Sequence, residues 1–394
     1  MNHRDTENTE KYERRIQENE RVRVCPSVLS VPLWLMVTSG QRAGVMLRET
    51  GGGDAKEGTM ATERGSTDAP AWPRTVAVIG AGTMGLGVAE QFAVAGLTVR
   101  ITDQSPEMTA QAHERLMQRV RGHADAGLVP SEAVERCARV EAIGDLAAVV
   151  EGVDFIFEAV FEQKDVKFDV LARLSRAARP DAIIVSNTSS FPIDDLAEHV
   201  LNAERFLGLH WFNPPEWTPG VEVIPHDTTD PAAVTRVYDF LRAIGKRPAI
   251  VKSGPGFVAN RIQNALFREA LACVQEGLAT PREVDEVCRS TFGFRMPFFG
   301  PFLIADMAGL DVWDNASATL ARELGSGYAM SPALHDLVAR GRLGTKTGAG
   351  FFTYTPEERD QLLLERDRRY AALNELLAHL PPVTVGTDEA ETPK

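Results

Sequence analysis

Cysteine is scarce. The 394 residues hold four, Cys25, Cys137, Cys273 and Cys288, far apart and without a CxxC pair. That spacing excludes a disulfide framework and a cysteine zinc site, no metal is expected, and a reduced cytoplasm fits best. Basic runs are also missing: 42 Lys and Arg stand against 55 Asp and Glu, for a formal charge of −13. Nucleic acid is therefore not an expected partner. Long apolar runs are absent as well. The longest near the start, VLSVPLWLMV at 28–37, is broken by proline and too short to span a bilayer, so no membrane association is expected. As a secretory signal it fails too, because its leader is long and mixed in sign and no small-residue cleavage site follows. No internal repeat is present.

What is there describes an ordinary globular chain, 44% hydrophobic and 25% charged, long enough for two folded domains plus extensions. Residues 1–72 read as a flexible N-terminal extension. Met46 and Met60 both precede the first convincing strand and are alternative starts; a targeting element is the second reading of this segment. Regular structure is expected from RTVAVIGAGTMGLGVAEQFAVAGLTVRITD at 74–103: a β-rich run (75–80), a glycine turn, a helical pattern (83–96) and a second strand (98–103). This βαβ unit opens a doubly wound α/β domain. A helical stretch follows over 106–138, then strands at DFIFEAV, AIIVSNTSS, FLGLHWF, VEVIP and PAIVKS. From 255 onward the period turns helical, and the next strand is expected only at GFFTY near 350, before an amphipathic helix over 356–380. The expected fold is thus α/β, a Rossmann-type doubly wound N-terminal domain (73–253) followed by an all-α C-terminal domain (254–356), with a C-terminal helix and tail (357–394).

GAGTMG places Gly80, Gly82 and Gly85 in G-x-G-x-x-G spacing, with Thr83 and Met84 between them. The first glycine permits a tight turn, the second lets the backbone approach a pyrophosphate, and the third lets helix pack on strand. Asp103 ends the next strand, where a carboxylate accepts hydrogen bonds from a ribose diol and repels a 2′-phosphate, so the cofactor is expected to be NAD. A glycine-rich structural turn is the bland alternative.

The chemistry must come from polar residues at other strand ends, because ligands sit beyond the carboxyl edge of such sheets. Four stand there: Ser189 in SNTSS, His210 at its strand end, Glu222 twelve residues on, and Asn260 in the first turn of the next helix. Oxidising a secondary alcohol needs a base for the hydroxyl proton while hydride leaves for the nicotinamide. Histidine suits that task, and a carboxylate partner fixes its tautomer. Against this stand plainer readings: His210 as a satisfied core histidine, Ser189 as a helix cap, Asn260 packing on Arg261, Glu162 as a solvated helix residue, Lys346 in a Gly-flanked loop. The remaining histidines at 113, 123, 199, 226, 335 and 379 read as surface residues.

The stretches VIGAGTMG, FEAVFEQKDVK, SNTSS, GLHWFNP, VEV, GPGFVANR and GTKTGAGFF run in order from about 75 to 355. In this the chain resembles the L-3-hydroxyacyl-CoA dehydrogenase family. The resemblance implies His210 as catalytic base, Glu222 as its orienting partner, Ser189 on the substrate hydroxyl and Asn260 on the substrate oxygen. It places Glu162, Lys167, Asn187, Asn213 and Lys346 around the cofactor, and it implies an NAD-binding domain over 73–253, a substrate and dimerisation domain over 254–356 like that of 6-phosphogluconate dehydrogenase, and a homodimer.

Two features depart from that pattern. The turn WFNPPEWTPGVEV is bulkier and richer in proline, closer to the L-gulonate 3-dehydrogenase branch, as is FGFRMPFFGPF; Trp217 and Pro219 are expected to narrow the substrate side of the pocket. The segment 109–140 lacks lysine, leaving Arg115, Arg119 and Arg121 as candidate phosphate ligands. The leading expectation is NAD-dependent oxidation of a short L-3-hydroxyacyl-CoA, such as 3-hydroxybutyryl-CoA. The alternatives are a dehydrogenase of a free or carrier-bound β-hydroxy acid, gulonate- or carnitine-like, and a non-catalytic dinucleotide-binding protein.

Overall fold

A computed structural model describes residues 72–381 and 383. Apart from Trp72, the segment 1–72 lies outside them, with Cys25 and the apolar run at 28–37.

Eight strands form one sheet: β1 (Thr75–Ile79), β2 (Thr98–Thr102), β3 (Glu141–Ala142), β4 (Phe155–Glu158), β5 (Ile183–Ser186), β6 (Phe206–Trp211), β7 (Gly220–Ile224) and β8 (Arg247–Ile250), in the order 3-2-1-4-5-6-7-8. All neighbours are parallel except β6 and β7, which run antiparallel. Strands buried on both faces read as continuous apolar runs, and TVAVI, FIFE and IIVS do. Alternate residues feed two cores. Val76, Val78, Phe155 and Phe157 pack on one face with Phe92, Trp211 and Phe240. Ala77, Ile79, Ile156 and Ile184 pack on the other with Leu171, Leu174 and Phe206. Trp72 joins the first core, edge-on to Phe155 and Phe240, with the Arg236 guanidinium over its ring.

The crossover helices are α1 (Thr83–Val94), α2 (Pro106–Asp125), α3 (Glu132–Cys137), α4 (Leu146–Val150), α5 (Lys164–Ala177), α6 (Ile193–Ala197) and α7 (Pro231–Ala243). The single helical stretch expected over 106–138 is two helices. Gly127 sits at φ +70° after α2, a left-handed conformation that ends the helix. Beyond β8 the described chain is helical: α8 (Ala259–Gln275), α9 (Pro281–Ser290), α10 (Phe292–Arg295), α11 (Pro301–Ala308), α12 (Leu310–Leu324), α13 (Pro332–Ala339) and α14 (Pro356–His379). GFFTY is not a strand. Residues 344–353 form a tight loop with isolated bridges, because its backbone is bound by a side chain, fully buried Asp306, which accepts from Phe351 N–H, Phe352 N–H and the Tyr354 hydroxyl. Helix α14 forms as expected, with a Thr355–Glu358 capping box, yet buries none of its residues in this chain. The helical part has only a small core of its own around Ala305, Leu310 and Leu334. Helix α8 buries nothing fully and leaves Ile262, Leu266 and Leu271 exposed.

Candidate active site

The glycine turn joins β1 to α1 at the carboxyl edge of the sheet. Gly80 holds φ +101°, and a Cβ there would lie 2.5 Å from the Ala159 carbonyl oxygen. At Gly85 a Cβ would lie 1.8 Å from the Gly80 carbonyl oxygen, so helix and strand meet backbone to backbone. Gly82, by contrast, faces open space. The first turn of α1 has neither a side-chain cap nor an acidic residue. Its N–H groups and the positive end of the helix are thus left for an anion, with Thr83 exposed and Met84 half-buried beside them. Asp103 follows β2, and its carboxylate accepts from Ala81 N–H (2.7 Å) and Gln104 N–H (2.7 Å), setting it against the turn. Arg115 donates to the Ala81 carbonyl from α2 (3.1 Å). An open second glycine, an uncapped helix and a neighbouring carboxylate fit a dinucleotide.

Two strands over, the ends of β4 and β5 are tied by Glu162. One of its oxygens accepts from the Thr188 hydroxyl (2.6 Å), Ser189 N–H (2.8 Å) and Ser190 N–H (3.2 Å); the other meets the Lys167 ammonium (3.1 Å). Burial pushes the Glu162 carboxyl up, but Lys167 and these hydrogen bonds outweigh it and hold it below the usual carboxylate value. Glu162 is therefore a loop anchor and not a solvated helix residue. Lys167 is 1% exposed and also bound to fully buried Glu158 (2.8 Å), so it braces Glu162 from beneath. Asn187 accepts from Trp211 N–H (2.9 Å), joining the ends of β5 and β6. Asn213 lies exposed at the β6 exit, in a cis peptide with Pro214.

His210 and Glu222 face each other directly across the antiparallel β6–β7 pair. Directly opposed residues bring their Cβ atoms within about 5 Å, which puts an imidazole in reach of a carboxylate. His210 Nδ1 and Glu222 Oε2 are 2.8 Å apart, and both residues are buried. The other Glu222 oxygen accepts from Val258 N–H (3.0 Å) and Ala259 N–H (2.9 Å), the first backbone groups of α8. Burial raises the Glu222 carboxyl; the bonds from His210, Ala259 and Val258 more than compensate, and its value is lowered. Phe257, held at φ +48°, is buried against the imidazole, which Phe212 covers from another side. A bulky residue in that region is strained, and strain of this kind gathers at functional sites. With Nδ1 committed to Glu222, Nε2 is the nitrogen left for a proton from elsewhere.

Asn260, one turn into α8, donates to the Ser189 carbonyl (3.2 Å), and the two residues share a cleft of about 400 Å³ with Ser190, Gly256, Gln263, Asn264 and Phe267. Ser189 does not cap the next helix; Pro192 holds the N-cap position of α6, which has no side-chain cap. The Lys346 ammonium is engaged by Asp311 (2.8 Å) within the helical part.

The proline-rich turn packs against α1 and α2. Pro215 and Glu216 lie over Gly87, where a Cβ would be 2.5 Å from the Pro215 ring. Arg119 ion-pairs with both Glu90 (3.1 Å) and Glu216, His123 bonds Glu90 (2.7 Å), and Trp217 stands edge-on to His123. Three side chains there, Glu90, His123 and Glu216, have metal-ligand spacing, but Arg119 already supplies the cation. Arg119 thus buttresses the turn through two ion pairs, and Arg115 is likewise engaged, on the glycine turn. Lys246 donates to the Pro215 and Thr218 carbonyls, and burial lowers its ammonium to about 8 despite the opposing pull of Glu216. One of the histidines expected at the surface is not there: His226 is buried on the Ala203 carbonyl, while half-buried His199 stacks on Phe168 and half-buried His123 sits in this cluster. Sequence reasoning overlooked Glu158, Glu90, Glu216 and Asp306. Glu158 and Asp306 left one visible signal, a lone carboxylate inside an apolar run (FIFEAV, FLIADMAGL).

Comparison with known proteins adds to this geometry. Residues 75–254 match the 3-hydroxyacyl-CoA dehydrogenase NAD binding domain, and residues 256–354 match the C-terminal domain of the same family. A 5-formyl-3-hydroxy-2-methylpyridine 4-carboxylate 5-dehydrogenase from Mesorhizobium japonicum is 35% identical over 306 residues, spanning 77% of this chain and 98% of its own. A probable 3-hydroxybutyryl-CoA dehydrogenase from Bacillus subtilis is 34% identical, over 71% of this chain and 97% of its own. Among solved structures, a 3-hydroxyacyl-CoA dehydrogenase from Archaeoglobus fulgidus superposes with a TM-score of 0.65 at 32% identity, covering 78% of this chain and 99% of its own.

Proposed function

Because the chain belongs to the 3-hydroxyacyl-CoA dehydrogenase family and is an NAD-dependent oxidoreductase of that type, we propose that it oxidises the hydroxyl group of a β-hydroxyacyl compound to the ketone, with His210 as general base. The observation that carries this reading is the buried 2.8 Å contact between His210 Nδ1 and Glu222, on the hairpin that ends at the same sheet edge as the glycine turn. NAD, when bound, supplies the hydride acceptor. Gly80, Gly82, Gly85 and the start of α1 hold its pyrophosphate, and Asp103 its ribose. Glu222 accepts a hydrogen bond from Nδ1–H, leaving the Nε2 lone pair to take the substrate hydroxyl proton, and its charge stabilises the imidazolium that forms. Ser189 and Asn260 hold the substrate oxygen, and Glu162, braced by Lys167, fixes the loop that carries Ser189.

A short L-3-hydroxyacyl-CoA such as 3-hydroxybutyryl-CoA is the first substrate reading. A free β-hydroxy acid is the second, favoured by one observation: Arg119, offered for a CoA phosphate, is consumed by Glu90 and Glu216. NADH formation from 3-hydroxybutyryl-CoA, free 3-hydroxybutyrate, L-gulonate and carnitine separates the two, and His210→Gln is expected to lower turnover by about 10²–10⁴-fold with whichever substrate works. Full turnover in that variant would remove His210 as the base.

The exposed apolar residues of α8, Ile262, Leu266 and Leu271, support a homodimer through the helical part, to be checked by light scattering. No helix among the described residues is long and apolar enough to cross a membrane, and the described cysteines are free thiols, which accords with a cytoplasmic protein.

A further inference from the structure

Helix α8 presents to the cleft Asn260, Gln263, Asn264 and Phe267, positions i, i+3, i+4 and i+7, which form one continuous helical stripe. Opposite them stand the hydroxyls of Ser189 and Ser190. Three side-chain amides and two hydroxyls thus line the space that opens from the proposed reaction centre. An alkyl chain laid along this stripe would strip water from those amides and return no hydrogen bond. An apolar stripe was available to the fold, since the neighbouring positions Ile262 and Leu266 of the same helix are aliphatic and point elsewhere.

We infer that the part of the substrate distal to the reacting hydroxyl carries oxygen acceptors, a carboxylate or further hydroxyls, and that Gln263 and Asn264 select for them. The inference rests on the function proposed above and specifies its substrate class. The amides donate N–H to such oxygens, and Phe267 closes the far end of the stripe.

The test compares two six-carbon substrates that differ only at the distal end, 3-hydroxyhexanoyl and 3-hydroxyadipyl, each as free acid and as CoA thioester, with L-gulonate as the polyol probe. Wild-type kcat/KM is expected to favour an oxygenated substrate over the alkyl one by about tenfold or more, since each recovered hydrogen bond is worth on the order of 1 kcal/mol. In the double variant Gln263→Leu, Asn264→Leu the ratio should fall to unity or invert. Asn264→Asp tests the position directly: the carboxylate repels a distal carboxylate but can still accept from hydroxyls, so the 3-hydroxyadipyl substrate should lose at least tenfold more than L-gulonate, and an equal loss for both would remove Asn264 as the selecting residue. A wild-type preference for the alkyl substrate, or a double variant with an unchanged ratio, overturns the inference. The same pair titrated against NAD-loaded His210→Gln protein gives the preference as a ratio of Kd values without turnover. Retained preference in binding with no NADH from wild-type protein would sink the proposed reaction and leave this inference standing; no preference in binding would sink the inference itself.

Discussion

Glu222→Gln exchanges one oxygen for an NH2 group and leaves shape and backbone unchanged, yet no orientation of the amide satisfies its surroundings while the proton stays on His210 Nδ1. Glu222 accepts on both sides, from His210 Nδ1 at 2.8 Å and from Val258 and Ala259 N–H at 3.0 and 2.9 Å. If the glutamine oxygen faces the histidine, its NH2 meets two backbone donors. If the oxygen faces the backbone, its NH2 meets Nδ1, which must then carry the lone pair, and the proton moves to Nε2, where it blocks the base. The second arrangement satisfies more partners, so the wrong tautomer should prevail. The corresponding Asp→Asn change in a catalytic triad costs about 10⁴ in rate, and a loss of about 10²–10⁴ in kcat is expected here, with little change in the affinity for NAD. Stability should fall too, by about 2–4 kcal/mol, because charge-assisted hydrogen bonds are lost. The lowered Glu222 value gives this contribution a pH window: it is present above the ordinary carboxylate value of 4.5 and fades as the pH falls through the lower folded value. Stopped-flow NADH formation, NAD titration by fluorescence and urea unfolding read the three effects. Turnover within twofold of wild type, with correct folding, would refute the tautomer argument.

Two further outcomes follow from buried charges. Lys246 titrates near 8 when folded against an ordinary 10.5, so the unfolded chain binds the extra proton between those values, and stability should rise by on the order of 1–3 kcal/mol as pH increases through that window. Urea midpoints at pH 7.5 and 10 measure this, and Lys246→Met should abolish the difference. Asp306→Ala leaves Phe351 N–H, Phe352 N–H and the Tyr354 hydroxyl without their acceptor. A loss of about 2–4 kcal/mol and faster amide exchange in residues 344–354 are expected, while NAD binding to the sheet should persist.

The strands and the glycine turn were legible because their causes are local. TVAVI, FIFE and IIVS are apolar at consecutive positions since both sheet faces are covered, and the three glycines answer to contacts within one βα turn. His210 and Glu222 were legible as a pair because a short hairpin joins them. What escaped depends on contacts far apart in sequence. Arg119 reads as a free cation until Glu216, 97 residues later, is folded onto it. The fate of Lys346 is set by Asp311, and the fate of GFFTY by Asp306, neither of which any periodicity marks. The break in the helix over 106–138 falls at Gly127 and Pro130, two interruptions that a single helical reading of the segment passed over.

Glu222 is a strand residue whose second oxygen belongs, in effect, to the other half of the protein. The glycine turn belongs to the sheet alone, but the sheet's histidine is oriented by a carboxylate that is fully satisfied only when the Gly254–Ala259 entry to the helical half is seated. A graft that exchanges the helical half for that of a relative would thus carry over more than substrate choice. Unless it offers two amides at the same height above β7, the recipient inherits a cofactor fold whose base is no longer aimed.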